Sequence, residues 1–189
     1  MIKKEIRVLG VSCTAPPHRS AVPIQVVGVV YRGSRWLEGV MRTTVRPEAT
    51  DLAPNIAKMV TGSPHFPQLR VIVLDELISK SGSYVDIEAL SRKTRLPVVA
   101  VLRRKIIAKR LPKKGARISQ RALKVFAKLT YRMWKAGGKI LFVYSAGLGK
   151  IDLDEILGVC ASKEGLPEAA RVARIIASSL EKFLVGRRP

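Results

Sequence analysis

Acidic residues are scarce in this chain. Only 14 Asp and Glu stand against 35 Lys and Arg, which leaves a formal charge of +21 over 189 residues. Cysteine and histidine are scarcer still. Cys13 and Cys160 have no metal or redox spacing, so both read as free thiols. His18 and His65 complete no familiar zinc pattern with them, and no structural metal or cofactor is expected. No apolar run approaches the roughly 20 residues of a membrane-spanning helix. Met1 to Glu5 lead straight into a strand-like segment without the apolar core of a signal peptide. These absences together point to a cytoplasmic protein.

What is present is a core. Hydrophobic residues make up 47 % of the chain, more than a disordered basic tail contains. The length suits one domain spanning residues 1–189. Self-repulsion among so many cations opposes compaction unless a polyanion neutralises it. Nucleic acid is the polyanion this charge suits, and no membrane partner is expected.

The first half predicts three strands, Glu5 to Ser12, Ile24 to Tyr31 and Trp36 to Val45, all rich in β-branched residues. Pro16-Pro17 falls in the first connection, and Arg32-Gly33-Ser34-Arg35 reads as a hairpin turn. Asp51 to Val60 has helical spacing, and Leu69 to Leu74 is a continuous apolar run suited to a strand buried on both faces. Asp86 to Thr94 predicts a helix and Pro97 to Leu102 another buried strand. A basic connection over Arg103 to Ala116 follows, broken by Pro112 and Gly115. The spacing then predicts one long helix over 117–136, stopped by Gly137-Gly138. A strand over 139–144 and helices over 152–162 and 167–184 complete the chain. The fold class is α/β, in the order β-β-β-α-β-α-β-α with additional C-terminal helices.

Between Glu88 and Asp152 there is no acid, yet 18 Lys and Arg occur. A basic surface kept for solubility would intersperse the two signs. The candidate nucleic-acid contacts in this stretch are Arg103, Arg104, Lys105, Lys109, Arg110, Lys113, Lys114, Arg117, Arg121, Lys124, Lys128, Arg132 and Lys135. On a continuous helix the last six share an arc of roughly 80° and form a line about 27 Å long. Ile118, Ala122, Val125, Phe126, Leu129 and Met133 lie about 110° away and would face the core. Like charges so placed destabilise a helix unless something external compensates, and phosphates do so. Tyr131 and Trp134 read as anchors in the core rather than as stacking platforms.

Several segments resemble the endonuclease dU family, known chiefly from archaea, related to endonuclease V and ribonuclease H-like in fold. They include Arg7-Val8-Leu9-Gly10, the run Val26 to Gly33, Leu37-Glu38-Gly39-Val40 and the run Gln68 to Asp75. Val85-Asp86-Ile87, Leu96-Pro97-Val98-Val99, Leu166-Pro167-Glu168, Arg171-Val172-Ala173, Ile176-Ala177-Ser178 and Gly186-Arg187 follow in order. The resemblance implies a ribonuclease H-like mixed sheet and clustered carboxylates that hold Mg²⁺ for phosphodiester cleavage. The family's first strand should end in an Asp-Asp-Gly-like turn, but here Val11 leads into Ser12, Cys13 and Thr14. An expected Leu-Asp-Gly is Leu74-Asp75-Glu76, and Arg174 stands where the family usually has His.

The expectation is therefore no catalytic set, with Asp75 and Glu38 as vestigial candidates. The implied function is a non-catalytic nucleic-acid-binding protein, with RNA favoured over DNA and a ribosomal subunit or other ribonucleoprotein as its setting. Two alternatives stay open. One is a Mg²⁺-dependent endonuclease acting on deoxyuridine-containing or damaged DNA, and the other is a chromatin-like DNA-binding protein.

Overall fold

The computed structural model describes residues 5–16, 21–79, 82–106, 119–148, 153–162 and 165–186. Its strands are β1 (Arg7–Cys13), β2 (Ile24–Arg32), β3 (Trp36–Val45), β4 (Leu69–Leu74), β5 (Val98–Leu102), β6 (Arg132–Ala136) and β7 (Lys139–Ala146). They form one mixed sheet in the order β3-β2-β1-β4-β5-β7-β6. The first three strands are an antiparallel meander, whereas β4 runs parallel to β1 and β5 parallel to β4. This is the ribonuclease H-like arrangement anticipated from the chain, extended at one edge by the antiparallel pair β7 and β6.

Alternation along the central strands explains their unbroken apolar runs. Leu9, Ile72, Leu74, Val98 and Ala100 belong to one core with α1 (Ala53–Thr61), α2 (Ile87–Thr94) and α3 (Gln120–Lys128). Val8, Val71, Val73, Val99 and Val101 belong to the other, with α4 (Leu153–Cys160) and α5 (Glu168–Gly186). Both faces are covered, so neither set of side chains can be polar. Helix starts follow capping chemistry: Asp86 accepts from the Ala89 amide at 3.0 Å and Ser119 from the Ala122 amide at 3.1 Å.

The continuous helix expected over 117–136 is not formed. α3 ends at Lys128, and Arg132–Ala136 is the edge strand β6. Gly137 and Gly138 have φ of 56° and 73° and make the two-residue turn of a β6–β7 hairpin. Two successive positive-φ residues suit a tight hairpin, because their twist matches that of the flanking strands. A glycine pair serves as a helix stop or a hairpin turn equally well. Pairing with β7 decides between them, since it gives the 132–136 backbone a partner. Trp134 and Ala136 then pack on the second core while Met133 stays exposed.

Candidate nucleic-acid interface and the strand-end site

The break in the helix redistributes the basic line. Arg121, Lys124 and Lys128 are exposed on α3, opposite the buried Ala122 and Phe126. Arg132 and Lys135 fall on opposite faces of β6, as the strand period requires. Arg132 lies 3.1 Å from Asp154 in an exposed ion pair. Arg121 is close enough to Asp51 to favour that carboxylate's charged form. Lys124 and Lys128 are therefore the helix cations best placed to meet an external anion. Arg103, Arg104 and Lys105 are exposed just beyond β5, and the Lys105 ammonium sits 4.4 Å over the Tyr131 ring. Tyr131 packs against Phe142 and Tyr144 but is 37 % exposed, so it is not the core anchor expected of it. The remaining candidates Lys109, Arg110, Lys113, Lys114 and Arg117 lie outside the described residues, as do Pro17, His18, Lys150 and Asp152.

The carboxylate candidates are not brought together. Glu38 accepts from the Nε atoms of Arg7 at 2.7 Å and Arg32 at 2.6 Å. Burial pushes its pKa up, but these two guanidinium bonds outweigh that effect and hold it below the ordinary value. Arg7 opens β1, whereas Asp75 lies beyond Leu74, which pairs with Val11 near the other end. The register puts Glu38 level with Val8 and Leu9 and three strand spacings from β4, so at about 3.3 Å per residue and about 4.8 Å per strand it lies roughly 18 Å from Asp75. Glu38 belongs to the structural fastening of β1, β2 and β3. The resemblance offered it as a vestigial site residue, and the strand register places it away from Asp75.

Asp75 sits at the carboxyl ends of parallel strands, where ligands of open α/β sheets bind. Its side chain is only 11 % exposed, and Oδ1 is buried with no hydrogen-bond partner among the described residues. Arg174 of α5 approaches Oδ2 with Nε at 3.6 Å. Burial pushes the Asp75 pKa up to about 6, against the opposing pull of Arg174, the Ser12 hydroxyl and Arg103. Cys13 stands close by, and its thiol is pushed up by burial and by the charges of Glu76 and Asp75. A small recess between the end of β1 and the loop after β4 is lined by Ser12, Cys13, Glu76, Leu77, Ser79 and Ser83.

Arg174 is the site residue that sequence reasoning recorded without assigning it a role. The signal was present, because Ala170, Ala173, Arg174 and Ala177 share one helical stripe. The three alanines face the sheet, and a cation among them needs an anionic partner. The close approach comes from Gly10, where any Cβ would strike the Ala169 backbone. Beyond β1 the Ala15 amide donates to Glu181 at 3.0 Å, tying the other end of α5.

Whether these residues fit the Mg²⁺ implied by the resemblance is a matter of donor chemistry. Mg²⁺ demands a nearly octahedral set of hard oxygens, usually carboxylate and water. The turn after β1 offers instead a hydroxyl and a thiol held in its protonated form. The cation beside Asp75 is a guanidinium. Among the described residues no three of His, Cys, Asp and Glu come together as possible ligands. The set does not fit a tightly held Mg²⁺.

Comparison with known proteins gives the same picture of ancestry. The model of the endonuclease dU family matches residues 4–181. The UPF0215 protein of Methanothermobacter thermautotrophicus is 38 % identical over 190 residues, covering 95 % of this chain and 89 % of the relative. A structure of a protein of unknown function from Archaeoglobus fulgidus superposes with a TM-score of 0.76 at 22 % identity, covering 93 % of this chain and 98 % of that one. Endonuclease V of Ciona intestinalis gives a TM-score of 0.62 at 14 % identity, covering 95 % of this chain and 88 % of that one.

Proposed function

We propose that this chain, which belongs to the endonuclease dU family, binds nucleic acid without cleaving it. RNA is its preferred polymer, and a ribosomal subunit or another ribonucleoprotein is its setting. The observation that carries this reading is the placement of Arg174 against Asp75 at the strand ends, with Arg103 near enough to act on the same carboxylate. A site built to hold divalent cations concentrates carboxylates, whereas here a guanidinium stands directly against Asp75. Cations on α3 and beyond β5 suit contacts to backbone phosphates, which give affinity and position but no sequence code. The Ciona endonuclease V was solved in complex with DNA containing an inosine followed by a ribo-adenosine. A fold of this kind therefore accommodates such a polymer.

The test pairs binding with cleavage. Purified protein is offered labelled RNA and DNA of one sequence at a fixed salt concentration. It is then incubated with deoxyuridine- and inosine-containing duplexes in Mg²⁺ or Mn²⁺. Tighter binding to RNA, with no nicking above background, is expected. A second reading, the metal-dependent endonuclease of damaged or deoxyuridine-containing DNA, is favoured by the unpartnered Oδ1 of Asp75, an atom that a cation would satisfy. Robust nicking abolished by Asp75→Asn would establish that reading instead.

A further inference from the structure

The strand-end site holds a surplus of guanidinium donors. Arg174 is 40 % exposed, and its 3.6 Å approach to Asp75 is its one contact among the described residues. That distance exceeds a hydrogen bond, so the five N–H groups of its fork lack a hydrogen-bond partner there. Arg103 leaves the end of β5 exposed, and it makes no hydrogen bond or ion pair among the described residues. It nevertheless stands near enough to Asp75 to favour that group's charged form. Two planar cations without a hydrogen-bond partner among the described residues thus stand beside Asp75, while Ser12 and Cys13 contribute no charge.

The scaffold keeps Arg174 in place. α5 rests on β1 through Gly10, Ala169, Ala170 and Ala173, and the Glu181 contact holds its later turns. From that fixed backbone a planar guanidinium loses less entropy per hydrogen bond formed than a lysine ammonium does. Guanidinium forks match two oxygens of one phosphate, which a point-like ammonium cannot do.

We propose that Arg174 and Arg103 together grip one backbone phosphodiester of a nucleic acid at the carboxyl ends of β1, β4 and β5. This inference rests on the nucleic-acid reading and names its central contact. Asp75 orients Arg174 from below and, as an anion, opposes the phosphate. Its removal therefore strengthens binding, which is the reverse of what a metal-holding carboxylate would do. Lys124 and Lys128 on α3 provide a separate, more peripheral contact.

The experiment measures fluorescence anisotropy of a labelled oligouridylate with the full chain at several salt concentrations. Arg174→Gln and Arg103→Gln should each weaken binding about fivefold or more. The variant carrying both changes should lower the slope of log K against log salt by about 0.7, the value for one phosphate on a single strand, and each single variant by less. Asp75→Asn should tighten binding severalfold. Because Arg174→Gln leaves Asp75 without its partner, the double variant Asp75→Asn with Arg174→Gln serves as the folding control. It should melt as a native protein and bind more weakly than Asp75→Asn alone. Unchanged affinity and slope in both arginine variants, with Lys124→Glu and Lys128→Glu still harmful, would overturn the phosphate site and spare the wider reading. Weaker binding in Asp75→Asn would overturn it as well. A wild-type chain that binds no oligonucleotide would remove both.

Discussion

Tyr84 and Phe126 meet edge to face, with ring centroids 5.8 Å apart and planes at 73°. The contact seats α3 on the loop that follows β4, so it couples the basic helix to the strand-end site. Phe126 is 5 % exposed and closes the first core over that loop. Phe126→Ala should cost about 3–5 kcal/mol, the usual range for deleting a buried ring. Nucleic-acid affinity should fall with it, because Lys124 and Lys128 lose their rigid support. Phe126→Leu fills most of the volume and should cost far less. Urea unfolding and anisotropy on the two variants check this. An alanine variant as stable as the parent would mean that α3 is not seated here.

Asp75 predicts a pH signature of definite sign. Its folded pKa of about 6 lies above the ordinary aspartate value of 3.8, so the folded state favours the protonated carboxyl. Its contribution to stability is then complete below about pH 4 and is lost as pH rises through about 6. A rise of that size is worth roughly 3 kcal/mol, at about 1.4 kcal/mol per pH unit. Asp75→Asn, which cannot ionise, should thus be more stable than the parent near pH 7.5 and lose that advantage near pH 4. Urea titrations at the two pH values would show it. An advantage that grows toward acid would contradict the burial assigned to Asp75.

Glu38 should behave in the opposite way. Its pKa is lowered, so its stabilisation exists above its unfolded pKa and disappears as pH falls through the folded value. Both arginines are partly exposed. After solvent screening, Glu38→Gln should cost on the order of 1 kcal/mol near neutral pH. Nucleic-acid binding should be unaffected, because Glu38 lies at the other end of the sheet. A Glu38→Gln variant with normal melting but impaired binding would return this residue to the functional site.

The parts of this fold legible in the sequence are those where one periodicity had one meaning. Leu69–Leu74 is buried on both faces, and only a central strand accounts for so continuous an apolar run between turns. Trp36–Val45 has the boundaries its composition suggested, although its side chains are largely exposed at the sheet edge. The region after Lys128 was not legible in this way. Ala122, Val125, Phe126, Leu129 and Met133 keep helical spacing past the true end of α3, because a short edge strand asks for little alternation. Asp75 was legible through the resemblance of Leu74-Asp75-Glu76 to the family's Leu-Asp-Gly. Its relation to Arg174 was not, because the two are separated by 99 residues and meet only through the packing of α5.

The β6–β7 turn separates the two readings of residues 132–136 most sharply. Gly138 has φ of 73°, and a Cβ built on it meets nothing within 4 Å. Any penalty for Gly138→Ala is therefore backbone strain alone, of about 1–2 kcal/mol for an L-residue in the left-handed region. Were Gly137 the cap of a helix ending at Ala136, Gly138 would fall outside that helix and the same change would be close to neutral. The two arrangements thus predict a clear loss in one case and little change in the other. Gly138→Asn should restore much of the loss, since asparagine tolerates left-handed backbone in such turns. Measured unfolding free energies should fall in the order glycine, asparagine, alanine at this position. An alanine variant as stable as the parent would reinstate the long helix, and with it the single line of cations from Arg121 to Lys135.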